Sequence, residues 1–179
     1  MRKKIKIFSI LGFIFTSGAG VLLHFLYEWC QKSYFAALFG SANESTWEHL
    51  KLFFIPFFAF SILEYCVFGR KLENFFTVKL FSSVIGMGIT VMLFYTYTGI
   101  IGMNVDFLNI AIFFASCAAA YIYSYYRLAV SPKRVHGWIE ALSALGYVLI
   151  LGLFIIFTFS PPEIPLFMDP TSGKFGPGK

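Results

Sequence analysis

Charge is what this sequence has least of. Asp, Glu, Lys and Arg make up 13% of its 179 residues, against 58% hydrophobic, with 24 phenylalanines and a mean hydropathy of +0.74. Soluble domains carry about a quarter charged residues, so there is too little polar surface to cover a water-soluble globule of this size. Lipid is the solvent that remains. No polar stretch is long enough to build a second domain, which leaves one compact bundle. Cysteine is scarce too: Cys30, Cys66 and Cys117 are unevenly spaced, form no CxxC pair and describe no disulfide framework. Cys66 and Cys117 fall inside apolar runs, where a small buried hydrophobe is the expected role. The net charge of +5 forms no continuous stripe. Its basic residues sit in short clusters between apolar runs, which argues against a nucleic-acid partner and for membrane topology.

What is present is a series of apolar runs, at residues 7–27, 46–68, 76–101, 106–126 and 138–159. About 20 apolar residues cross the hydrocarbon of a bilayer. The predicted fold is therefore all-α: a polytopic transmembrane helix bundle of five spans within residues 1–160, followed by a tail at 161–179. Thr16-Ser17-Gly18-Ala19-Gly20 offers the small residues of a signal-peptide cleavage site, but the run continues through Val21-Leu22-Leu23, so an uncleaved first span is expected. With the amino terminus inside, Arg2, Lys3, Lys4, Lys6, Arg70, Lys71, Lys79, Arg127, Lys133 and Arg134 lie on the inner side. Only Lys32, Lys51, Lys174 and Lys179 then lie outside. That bias sets the orientation, with the carboxy terminus outside.

Several faces can be read from the spacing. Gly12, Thr16, Gly20, His24 and Glu28 recur at every fourth position, a stripe that admits a neighbouring helix and turns His24 and Glu28 toward protein. Ala111, Ala115 and Ala119 form a second small-residue stripe, and the tyrosines from Tyr121 to Tyr126 resemble an interface belt. Glu64 is expected to snorkel or to pair with Arg70 or Lys71. Glu140, in the first turn of its helix, complements that helix's own dipole.

The densest polar stretch is Asn43-Glu44-Ser45-Thr46-Trp47-Glu48-His49, and the orientation places it outside together with His24, Glu28, Asp106 and the tail. Two readings stay open. Ser41-x-x-Glu44 and Ser45-x-x-Glu48 both fit a capping box before an apolar helix, so the stretch can simply start a span. That leaves His49 and the His24–Glu28 pair without a role. The sharper reading is a metal or acid–base site, with His24, Glu48 and His49 as ligands, Glu44 or Glu28 as general base, and Asn43, Ser45 and Asp169 as further members. Imidazole with carboxylate suits a divalent ion, zinc first. The tail is broken by Pro161, Pro162, Pro165 and Pro170 yet carries Ile164, Leu166, Phe167 and Phe175. Its composition fits a lid folded over the outer mouth, bringing Asp169 to the cluster; a frayed, membrane-grazing end fits equally.

The Asn43-Glu44-Ser45-x-Trp47-Glu48-His49 string, with Leu50-Lys51-Leu52 after it and Pro165-Leu166-Phe167-x-Asp169-Pro170 in the tail, resembles a family of small, Firmicutes-type bacterial integral membrane proteins of unknown function. The resemblance implies a bacterial origin, a multi-pass place in the cytoplasmic membrane, and Asn43, Glu44, Glu48 and His49 as the positions to test. It brings no activity. Glu28-Trp29-Cys30 is also similar to the acidic Asp-Trp-Cys string of membrane alkaline ceramidases, whose additional spans and histidines this chain lacks. Three functions follow: a metal-dependent membrane hydrolase or transferase acting on a lipid or lipid-linked substrate, a small solute or ion transporter or binding subunit, and a structural membrane protein whose cluster is only a cap.

Overall fold

The computed structural model describes residues 1–177; Lys179, counted above with the outer cations, lies outside them. The chain is 77% helical. In order it forms α1 (Arg2–Trp29), a six-residue α2 (Tyr34–Phe39), α3 (Thr46–Val67), α4 (Phe75–Ile101), α5 (Asp106–Tyr125) and α6 (Gly137–Phe159). A π-helical turn, Tyr126–Val130, extends α5. All of these except α2 are long and apolar enough to cross a membrane. Their bounds fall within a few residues of the apolar runs, except that α1 reaches back through the basic amino-terminal segment to Arg2.

The long helices alternate in direction. At one end Lys4 Nζ donates to the Val67 carbonyl at 3.4 Å, and Asn74 Nδ2 to the Arg127 carbonyl at 3.3 Å. Glu140 joins this end, though not as the sequence suggests. Its carboxylate leaves its own helix and caps α4, accepting from Phe76 N at 2.5 Å, Thr77 N at 3.0 Å and Thr77 Oγ1 at 2.7 Å. Those amides are the otherwise unpaired donors of a helix start. The opposite end gathers the close of α1, the starts of α3 and α5, the close of α6 and the tail.

Helix α3 is the central one: 56% of its apolar window is buried, against 22% to 33% in the other long helices. Phe53, Phe54, Phe57 and Phe60 fill the middle of the bundle with Tyr121, Tyr147 and Phe154 around them. The stripe on α1 does admit its neighbours. A Cβ at Gly20 would stand 2.5 Å from the Phe113 ring and 2.7 Å from the Leu52 carbonyl, closer than packed atoms come, and Thr16 Oγ1 meets the Tyr121 hydroxyl at 2.8 Å.

Other expected faces are corrected. Ala111 and Ala115 are exposed and Ala119 half-buried; α5 turns Ser116, Cys117, Ala120, Tyr121 and Ser124 inward instead. Tyr121 is thus core, held there by Thr16, and not part of an interface belt. Cys117 is buried but Cys66 is exposed. Glu64 pairs with Lys79 of α4, not with Arg70 or Lys71, and both are fully buried. The Lys79 ammonium also lies 5.2 Å from the Phe57 ring centre and 5.5 Å from that of Tyr121, which offers it aromatic faces in place of water.

Candidate metal centre

The site is built around the start of α3. Ser45 is its N-cap: the side chain accepts from Glu48 N at 3.3 Å, while Asn43 Oδ1 accepts from Ser45 N at 2.9 Å. Ser41 caps nothing; its hydroxyl turns to the Asn43 carbonyl at 2.6 Å. Because the helix begins at Thr46, Glu44 stays in the loop and shares no helix face with Glu48. Their expected roles change accordingly. Glu48, predicted as a ligand, is 2% exposed and committed elsewhere. Its Oε2 accepts from Ala42 N at 2.8 Å and from Lys51 Nζ at 2.7 Å, and its Oε1 from Thr158 Oγ1 at 3.0 Å. Lys51 also donates to the Ala37 carbonyl at 2.7 Å, so the pair fastens the loop after α2 to α3 and α6.

Glu44, predicted as a base, stands instead with the two histidines. His24 of α1, Glu44 of the loop and His49 of α3 bring one ligand atom each within 4.8 Å of one another, and the imidazole centres are 5.4 Å apart. The close crossing at Gly20 explains the meeting: the α1 and α3 backbones touch one turn from His24 and one turn from His49. His49 Nδ1 lies 2.9 Å from the Ser45 carbonyl. A carbonyl accepts, so Nδ1 carries the hydrogen and Nε2 faces outward, 3.5 Å from Glu44 Oε2. An imidazole nitrogen and a carboxylate oxygen on one side are the donor types a divalent ion takes. A backbone carbonyl fixing the far nitrogen of a ligating histidine is the usual support for a metal.

The three residues line a cavity of about 510 Å³ between α1, α3, α4 and α5. Thr46, Asn104, Asp106 and Asn109 add polar groups, and Phe25, Phe94, Ile110, Phe113 and others close the apolar side. Asn109 Nδ2 donates to Asn104 Oδ1 at 2.7 Å, and the Tyr97 hydroxyl, accepting from Val105 N at 3.3 Å, sits against both amides.

A family model spans this architecture, from residue 1 to 177. The chain belongs to a family of unknown function, DUF6512. Neither the curated proteins nor the solved structures contain a match to it.

The remaining predicted residues of this DUF6512 member lie away from the triad. Glu28 is exposed and pairs with Lys32 at 3.6 Å, because α1 ends at Trp29 and the turn after it folds Lys32 back. It does not line the cavity. Trp29 is 63% exposed, so the Glu28-Trp29-Cys30 string lies outside the site altogether. Asn43 binds the tail, Nδ2 donating to the Gly176 carbonyl at 2.9 Å. The tail does fold back, with Phe167 buried against Trp47 and Phe157 at 4.8 and 5.4 Å between ring centres, but none of its described residues lines the cavity. Asp169 closes the tail on itself, accepting from Thr171 N, Thr171 Oγ1 and Ser172 Oγ at 2.7–2.8 Å. Against the upward push of burial, these bonds hold its carboxyl below the usual aspartate value. Asp106, Asn104 and Asn109 are polar lining residues whose spacing in the sequence marks no site. Asp106 alone carried a signal, as an acid on the same side of the bundle.

Proposed function

We propose that this protein is a membrane metalloenzyme, a hydrolase or transferase holding one divalent ion, zinc first, on His24, Glu44 and His49. Its substrate would be a lipid or lipid-linked molecule, met at the outer face of a bacterial cytoplasmic membrane. The observation that carries the reading is the convergence of three donors from three separate segments within 4.8 Å, at the edge of a cavity, with the His49 tautomer set by Ser45. Catalytic zinc takes three protein ligands and leaves one position open. When bound, such an ion supplies an acidified water and polarises the substrate oxygen.

The chain's own residues supply the rest. Ser45 orients His49, and the Glu48–Lys51–Thr158 knot fixes the loop that presents Glu44. Asp106, the cavity's other carboxylate, would take the place first given to Glu28, as the group able to hold a proton between the water and the leaving group. Asn104 and Asn109 would meet the substrate's polar group, and the apolar wall would take its chain. The inside-positive orientation keeps its support after Lys51 and Lys79 are set aside as buried, because Arg2, Lys3, Lys4, Lys6, Arg70, Lys71, Arg127, Lys133 and Arg134 still collect at the end opposite the triad.

Purification without chelators followed by elemental analysis tests the reading. Wild type should carry about one zinc per chain, with His24→Ala and His49→Ala carrying little. Metal-free wild type after zinc loading would refute it.

A further inference from the structure

The cavity's opening and its charge narrow what it takes. Four of its apolar lining residues are themselves exposed on the flank of the bundle: Val21 at 43% and Phe25 at 47% on α1, Ile110 at 57% and Phe114 at 39% on α5. A cavity bounded this way opens sideways, between α1 and α5, where a membrane-spanning bundle meets acyl chains. Its polar end lies at the outer end of the bundle, where His24 and His49 are half-buried and Glu44, Asn104 and Asp106 are exposed. Such a space matches an amphiphile that enters from the outer leaflet, with its tail along the flank and its head at the triad. The cavity's size is that of ordinary small-molecule sites.

The head must suit the charges it meets. Apart from the two imidazoles, the charged lining residues are Glu44 and Asp106, and among the described residues no lysine or arginine lines the cavity. Lys51, the nearest buried ammonium in sequence, is spent on Glu48, Thr158 and the Ala37 carbonyl. The starts of α3 and α5 offer little to a second anion, since Glu48 and Asp106 already place a carboxylate in each first turn. An ion on the triad would be offset by Glu44 and Asp106, leaving no net positive charge for a phosphate. The other polar lining groups are neutral: Thr46, Thr90, Asn104 and Asn109.

Resting on the metal-site reading, we infer that the substrate is an uncharged amphiphile, an acyl chain bearing a hydroxyl- or amide-rich head, admitted laterally between α1 and α5, and that anionic lipids are turned away. The test uses the full chain in nanodiscs of zwitterionic lipid, loaded with zinc, displacing a fluorescent fatty-chain probe. Competitors are 1-monooleoylglycerol and its anionic counterpart, monooleoylglycerol phosphate, which share one tail. The neutral competitor should bind at least about tenfold tighter, as expected for like-charge repulsion in a half-buried site. Asp106→Asn should narrow that ratio, and Ile110→Trp should weaken the neutral competitor by obstructing the gap. Equal or tighter binding of the anionic competitor, or a ratio untouched by Asp106→Asn, would overturn the inference. Zinc is measured on the same samples. Full zinc with no preference counts against this inference alone, while a neutral preference without zinc supports it and counts against the metal.

Discussion

Replacing Lys51 by methionine keeps the length of the side chain and removes its ammonium from a site that is 0% exposed. Three contacts go with it, to Glu48 Oε2 at 2.7 Å, the Ala37 carbonyl at 2.7 Å and Thr158 Oγ1 at 2.9 Å. What remains is a buried carboxylate with only Ala42 N and the Thr158 hydroxyl to answer it. Breaking a buried pair from one side costs about 3–5 kcal/mol, because the leftover charge has no solvent. At about 2–4 °C per kcal/mol for a chain of this length, the midpoint should fall by roughly 6–20 °C. Removing both charges, in Lys51→Met with Glu48→Gln, should restore most of the loss, since a neutral pair of similar shape needs no compensation. The assay is thermal unfolding in one detergent, wild type beside both variants. A single variant within about 1 kcal/mol of wild type, or a double variant worse than the single, would refute the buried-pair account. Because the knot ties Ala37 and Ala42 to α3, Lys51→Met should also weaken zinc binding through Glu44.

Three further outcomes are expected. Gly20→Ala should destabilise by about 1–3 kcal/mol, because the new methyl meets a backbone carbonyl that cannot swing away, whereas Gly18→Ala, with open space around it, should be neutral or stabilising by up to about 1 kcal/mol; paired melts check this. Asp169 has a depressed carboxyl in the folded chain, so its contribution is complete above the ordinary aspartate range and fades as pH falls through and below it. Trp47 fluorescence, which senses Phe167, should report tail release in acid, and Asp169→Asn should show it already at neutral pH. Lys79→Met should destabilise as Lys51→Met does and leave zinc content unchanged, since its partner Glu64 lies in the other half of α3, away from the triad; melting with elemental analysis separates the two.

The helices were legible because spanning length and apolar content are local properties, and α3 through α6 start and stop where the runs do. The crossing at Gly20 was legible for the same kind of reason: a four-residue spacing of small residues marks a face. That spacing also misled at Ala111 and Ala115, since a small side chain serves a lipid-facing surface as well as a helix contact, and only the position of Tyr121 against Thr16 decides between them. Pairings across helices were not legible. Nothing local to Glu64 names Lys79 over Arg70, and nothing local to Glu140 names the start of α4. At the candidate site the residue types were visible and their placements were not. Starting α3 one turn later, with Ser45 and not Ser41 as cap, leaves Glu44 in the loop, where it meets His24 and His49, while Glu48 pairs with Lys51.

The proposed metal centre puts one ion on His24, Glu44 and His49. Zinc K-edge X-ray absorption on the loaded, full-length protein reads the ligand set directly. Two imidazole nitrogens at about 2.0–2.1 Å with oxygen ligands completing the shell, the imidazole signal halved in His24→Ala, is the predicted spectrum. Sulfur at about 2.3 Å, or an all-oxygen shell indifferent to His24 and His49, would contradict it.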